Sequence, residues 1–204
     1  MERFLKSITY INRTFQYDNL IFSEKCTSLQ KITFIHHPII NTPLMNLPQI
    51  EADQLFELKK YQADGIIVNF PIQGEDIMIE LQNDTGRIKF MADINNANEI
   101  VRKATFQVRY QKIFILRRLD LNGNHKNPPD QAPDIMFEGF ENYVFNREDH
   151  IHFYFEEYGE KWALPLSSFP EIGITLQDDL FEKVQKFFKY CNVEELKIRK
   201  VLEL

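Results

Sequence analysis

The strongest constraint in this chain is period-two alternation of apolar and polar residues, repeated in short runs separated by turn chemistry. Side chains alternate across a strand, so such runs read as strands with one buried face. Asp76–Gln82 and Arg87–Ile94 flank Asn83-Asp84-Thr85-Gly86, which predicts a hairpin with glycine where positive φ costs little. Thr105–Gln111 and Ile113–Leu121 continue the series, and Gly65–Phe70 precedes it. In Ile113–Leu121, strict alternation groups Ile113, Ile115, Arg117, Leu119 and Leu121 on one side. Phe114, Leu116, Arg118 and Asp120 then share the other.

Two helices bracket these strands. Pro48–Gln62 has proline at its start, Glu51 and Asp53 early, and Lys59 and Lys60 late, as the helix dipole favours. Leu176–Tyr190 places Leu180, Phe181, Val184, Phe187 and Phe188 on one stripe. The expected class is α+β: a mainly antiparallel twisted sheet with a helix before it and a helix after it. The expected organisation is a β-rich extension over 1–46, a core domain over 47–192, and a short helix or tail over 193–204. Within the extension, Ser7–Phe15, Asn19–Phe22 and Gln30–His36 read as strands.

The 204 residues, with 18 phenylalanines, supply an ample core without disulfides. Two isolated cysteines, Cys26 and Cys191, point to a reducing compartment. The N-terminus breaks any apolar run with charges, so neither a signal peptide nor a membrane span is expected, and the location expected is cytoplasmic. The net charge of −6 argues against a broad nucleic-acid-binding surface. Its distribution is uneven, however. Residues 100–127 hold Arg102, Lys103, Arg109, Lys112, Arg117, Arg118 and Lys126 against Asp120 alone.

Chemistry concentrates in two segments. The first is Arg118-Leu-Asp120-Leu-Asn122-Gly123-Asn-His125-Lys-Asn127-Pro128, opening an aperiodic stretch from Asn122 to Glu148 that is expected to be a functional or mobile loop. The second is His150-Ile-His152-Phe-Tyr154, followed by Glu157-Tyr158-Gly159-Glu-Lys161-Trp162-Ala163. On a strand His150, His152 and Tyr154 share a polar face, which is expected to look outward or into a cleft. Histidine suits both proton roles of metal-independent RNA cleavage, and arginine suits its phosphate. The candidate catalytic residues are therefore His125, His150, His152 and Tyr154. Arg109, Arg117, Arg118 and Lys161 are the candidate substrate-binding residues. Asp120, Asn122 and Trp162 are assigned structural roles. His150-x-His152 with His125 and Asp120 or Asp149 has metal-ligand residue types but not a specific spacing, so neither metal nor cofactor is expected.

These segments, with Phe90-Met-Ala-Asp93-Ile-Asn95 and Thr105-Phe-Gln107-Val-Arg109-Tyr110, resemble an uncharacterised bacterial and phage-associated domain family over residues 48–166. The resemblance implies a setting of bacterial–phage conflict and supplies no mechanism. Two functions are carried forward. One is an RNA- or phosphate-directed module, in its sharpest form a toxin-like ribonuclease. The other is a non-enzymatic inhibitor or adaptor that binds a bacterial or phage protein.

Overall fold

A computed structural model of the chain describes residues 46–97 and 103–200. The strands expected before residue 46, and Cys26, lie outside the described residues. Helix α1 (Gln49–Glu57) is followed by β1 (Lys60–Gln62), β2 (Val68–Asn69), β3 (Glu75–Gln82), β4 (Lys89–Asn96), β5 (Ala104–Tyr110) and β6 (Phe114–Lys126). After a long connection come β7 (Val144–Phe155), β8 (Gly159–Pro165), helix α2 (Leu180–Tyr190), β9 (Val193–Glu194) and β10 (Ile198–Arg199). The main sheet has the order β8-β7-β6-β5-β4-β3-β1-β9. It is antiparallel from β8 to β1 and parallel where β9 joins β1; β2 and β10 form a separate parallel pair. A large, mostly antiparallel sheet with one early and one late helix is thus the α+β class expected.

The first helix is shorter than its sequence pattern. It stops at Glu57 because Leu58 turns to extended backbone and Lys60 enters the sheet. The Lys60 ammonium, fully buried, donates to the carbonyls of Phe56, Leu58 and Cys191 at 2.7, 2.8 and 3.1 Å. It therefore satisfies carbonyls that a helix end leaves open. Burial pushes its pKa down to about 8. At the other end, Glu156 accepts from the Gln49 backbone N–H while Gln49 Oε1 accepts from Glu156 N–H. Helix α2 starts at Leu180, not Leu176, because Asp179 and Glu182 form a reciprocal capping box; Leu176 is left 92% exposed.

Both helices feed one core with a face of the sheet: Phe106 meets Phe187 with ring centroids 6.2 Å apart, and Phe56 meets Tyr190 at 5.8 Å. Cys191 is buried there, and burial pushes its thiol up to about 12. Of Gly65–Phe70, Val68–Asn69 alone is strand, paired with β10. Residues 193–200 carry two short strands where a helix or tail is expected.

The alternation in β6 does not run unbroken. Val108 pairs with Arg117 and Arg109 with Ile115, so Leu116 is an extra residue. This bulge exchanges the faces. Phe114 and Leu116 before it, and Leu119 and Leu121 after it, all enter the core. The strand also does not end at Leu121. It runs on to Lys126 and pairs with β7 from Val144, correcting the expectation of a loop from Asn122 to Glu148. The remaining connection, 127–143, is tied down. Asn127 donates to the Ala163 carbonyl and accepts from its N–H, both at 2.9 Å, and Phe137 packs against Phe153, Phe155 and Trp162.

Candidate functional site

Sheet register assembles the site. Thr105 pairs with Asp120 and Asp120 with His150; one row along, Gln107 pairs with Arg118 and Arg118 with His152. The Leu116 bulge points Arg118 and Asp120 away from the main core, toward the histidine side of β7. The sheet then curls so that the end of β6 reaches β8: His125 Nε2–H donates to the Lys161 carbonyl at 2.8 Å. That closure draws the imidazoles together. Ring centroids are 4.9 Å apart for His150–His152, 4.5 Å for His125–His152 and 5.7 Å for His125–His150, with Phe145 stacked 4.4 Å from His150.

The histidine-bearing face is therefore not outward. His150 and His152 have no exposed surface, and His125 is half-buried. Their tautomers follow from their partners, because a carbonyl can only accept. His150 Nδ1–H donates to the Glu148 carbonyl at 2.7 Å, and His152 Nδ1–H to the Glu160 carbonyl at 2.8 Å. Each Nε2 then carries a lone pair. These lone pairs converge on Asp120 Oδ2, 3.2 Å from His152 Nε2 and 3.6 Å from His150 Nε2. Arg118 lies against the same pair, with Nε 3.2 Å from Asp120 Oδ2 and Nη2 2.9 Å from His152 Nε2. Thr105 donates to Asp120 Oδ1 at 2.9 Å. His150 Nε2 has no hydrogen-bond partner.

Burial opposes charge throughout the cluster. It pushes His152 down to about 4, against the favourable Asp120 contact, and it lowers His125 and His150. For Asp120 burial alone would raise the pKa, but the His152 contact, the Arg118 charge and the Thr105 bond outweigh it and hold the carboxyl at about 2.

Tyr154, Arg117 and Arg109 lie apart from this cluster. The Tyr154 hydroxyl donates to the Leu47 carbonyl and accepts from the Leu47 N–H, both at 2.9 Å, and its ring packs edge-on to Phe114. A register shift between Phe153 and Phe155 separates it from the His150–His152 alternation. Arg117 is on the core side, its guanidinium 4.2 Å from the ring centroids of both Phe56 and Phe153. Arg109 gives Nε and Nη2 to Asp93 at 2.6 and 2.7 Å. Lys161 enters the cluster through its main-chain carbonyl, and its side chain is exposed. Trp162 is fully buried among Phe137 and Tyr158. Asn122 has φ 54° at the second bulge of β6, where its N–H bonds Asp149 Oδ1 at 2.7 Å. Thr105, Gly123 and Glu160 are members of the site that residue-type reasoning passed over. Gly123 is detectable in principle, since an Asn-Gly pair inside a strand pattern signals a bulge as well as a turn.

Cavities of about 350 and 190 Å3 open on the described surface, the larger lined by Asp93, Thr105, Gln107 and Arg109, the smaller by Lys103, Asn122 and Asp149. Neither includes a histidine. No helix among the described residues is long and apolar enough to cross a membrane.

Fold and site together define a strand-dominated α+β domain with a sealed histidine–aspartate–arginine network where its sheet curls. Residues 47–193 match the model of a family of unknown function, DUF6978, and the chain belongs to that family. No curated protein and no solved structure matches the chain.

Proposed function

We infer that this domain works by binding another protein, as an inhibitor or adaptor, and that its histidines do no acid–base chemistry on RNA. One observation carries the reading: His150 and His152 have no exposed surface, and each has one ring nitrogen committed to a main-chain carbonyl. A general base must come within hydrogen-bond reach of the proton it takes. Neither ring presents exposed surface to a ribose hydroxyl.

The three candidate arginines point the same way. Phosphate binding needs guanidinium groups with donors to spare. Arg109 is forked onto Asp93, Arg118 is held by Asp120 and His152 with Glu160 3.8 Å away, and Arg117 is sandwiched between rings. The outer face of β3–β5 is open. There Asp76, Glu80 and Asn95 surround Met78, which is 57% exposed, and Ile113 at the β5–β6 turn is 67% exposed. Mixed apolar and polar surface suits a protein partner better than a phosphate backbone. On the resemblance noted above, that partner is a bacterial or phage protein.

The test has two arms. Wild type and a His150→Ala/His152→Ala variant are incubated with labelled RNA at low salt, with and without EDTA. No cleavage and no retention are expected. Cleavage by wild type alone, or RNA retention that Arg109→Ala abolishes, overturns the reading. In the second arm, a partner captured by wild type should be lost on Met78→Glu and Ile113→Glu; capture unchanged by both moves the interface off this face.

A further inference from the structure

We propose that Asp120, His150 and His152 form a binding site for a divalent transition ion of the zinc class. This site is independent of the protein-binding reading. One ligand atom from each residue lies within 4.8 Å of the others. The spacing is close to what an ion requires. Zinc bonds to imidazole nitrogen and carboxylate oxygen run about 2.0–2.2 Å, so ligand atoms at tetrahedral corners sit roughly 3.3 Å apart. The two edges that meet at Asp120 Oδ2 measure 3.2 Å to His152 Nε2 and 3.6 Å to His150 Nε2.

The second observation is independent of those distances. His150 is fully buried, yet its Nε2 has no hydrogen-bond partner. Buried polar atoms are nearly always satisfied, because leaving one unpaired forfeits the hydrogen bonds it made in water. Hydrogen bonds from Nδ1 to the Glu148 and Glu160 carbonyls turn both lone pairs toward the carboxylate. Metal-ligating histidines are held in this way, with the far nitrogen donating to a carbonyl or carboxylate. Lone pairs facing an anionic oxygen call for a positive charge among them.

Arg118 is the resident competitor. Its Nη2 bonds His152 Nε2, and an incoming ion would displace that donor. Glu160 Oε1, 3.8 Å from Arg118 Nη1, is placed to receive the displaced guanidinium. Asp120 and Arg118 keep 16% and 22% side-chain exposure, which puts the entry route and the fourth coordination position on their side. The donor set of two imidazoles and one carboxylate suits zinc and its neighbours, not magnesium or calcium, which prefer oxygen.

The experiment uses the full chain stripped with EDTA and titrated with Zn2+ alone, read by calorimetry and thermal unfolding. Co2+ serves as a spectroscopic probe. The expected result is one Zn2+ per chain, a higher melting temperature and the strong visible bands of tetrahedral cobalt. His150→Gln and Asp120→Asn, each checked for fold by circular dichroism, should weaken binding at least about tenfold. Arg118→Met should bind at least as tightly as wild type, because the competing charge is gone. It also reads the site if the ligand variants fail to fold. Absence of saturable Zn2+ uptake by folded wild type, equal affinity in the folded ligand variants, or weaker binding by folded Arg118→Met would overturn the site.

Discussion

Gly123 lies so close to His150 that a Cβ on residue 123 would sit 2.8 Å from the His150 Cε1 atom, and 2.9 Å from the Asp120 Cβ. The Asp-x-Asn-Gly sequence is thus a packing device: Asn122 absorbs the positive φ of the bulge, and Gly123 lets the strand pass over the imidazole. Gly123→Ala should destabilise the fold by about 1–3 kcal/mol, the usual cost of overpacking. Gly159→Ala is the control. Gly159 has φ +62° but nothing near its Cβ position, so its cost is backbone strain alone. Urea unfolding of both variants measures the difference.

Asn127→Ala should cost at least as much. Asn127 is buried, and its loss unpairs the Ala163 N–H and withdraws donors from the Ala163 and Phe140 carbonyls. A drop of about 1–3 kcal/mol is expected, together with faster amide exchange through 127–143.

Arg117→Ala should destabilise the core by about 2 kcal/mol, through lost stacking on Phe56 and Phe153 and lost packing of its stem. Arg117→Lys should not restore it, since a point charge cannot stack on two rings. Denaturant midpoints of the two variants provide the check.

Stability should fall as the medium is acidified. His152 is held at about 4 against an ordinary 6.5, so the unfolded chain binds the proton more readily than the native one between those values. Its contribution is complete above pH 6.5 and declines as pH falls toward 4. Asp120, at about 2 against 3.8, adds a second decline below pH 3.8. Unfolding free energies measured from pH 8 to pH 3 should show the first loss before carboxylates titrate. In His152→Gln, if folded, that first phase should shrink.

The sequence shows the hairpin of β3 and β4, the strand β5 and both helices, because each carries a legible period. It hides what depends on breaks in period. The Leu116 bulge brings Phe114 and Leu116 to the same side as Leu119 and Leu121, faces that strict alternation separates, and Arg117 packs with them. The run of polar residues from Asn122 to Lys126 imitates a loop, and it pairs as strand because Asn122 and Arg147 take positive φ at matched bulges. Polar alternation in His150–Tyr154 reads as a solvated face. Curling of β6 onto β8, a long-range event, buries it instead. Lys60 carries no local signal at all; its burial follows from carbonyls contributed by α1 and by Cys191, 131 residues away.

His150 and His152 are buried as Nδ1–H tautomers with their Nε2 lone pairs turned toward Asp120. Long-range proton–nitrogen NMR of the imidazoles, followed from pH 8 to pH 5, measures this directly. Two neutral Nδ1–H rings that do not titrate near 6.5 are expected. Imidazoles that protonate freely around pH 6.5, or that show the Nε2–H form, would contradict this.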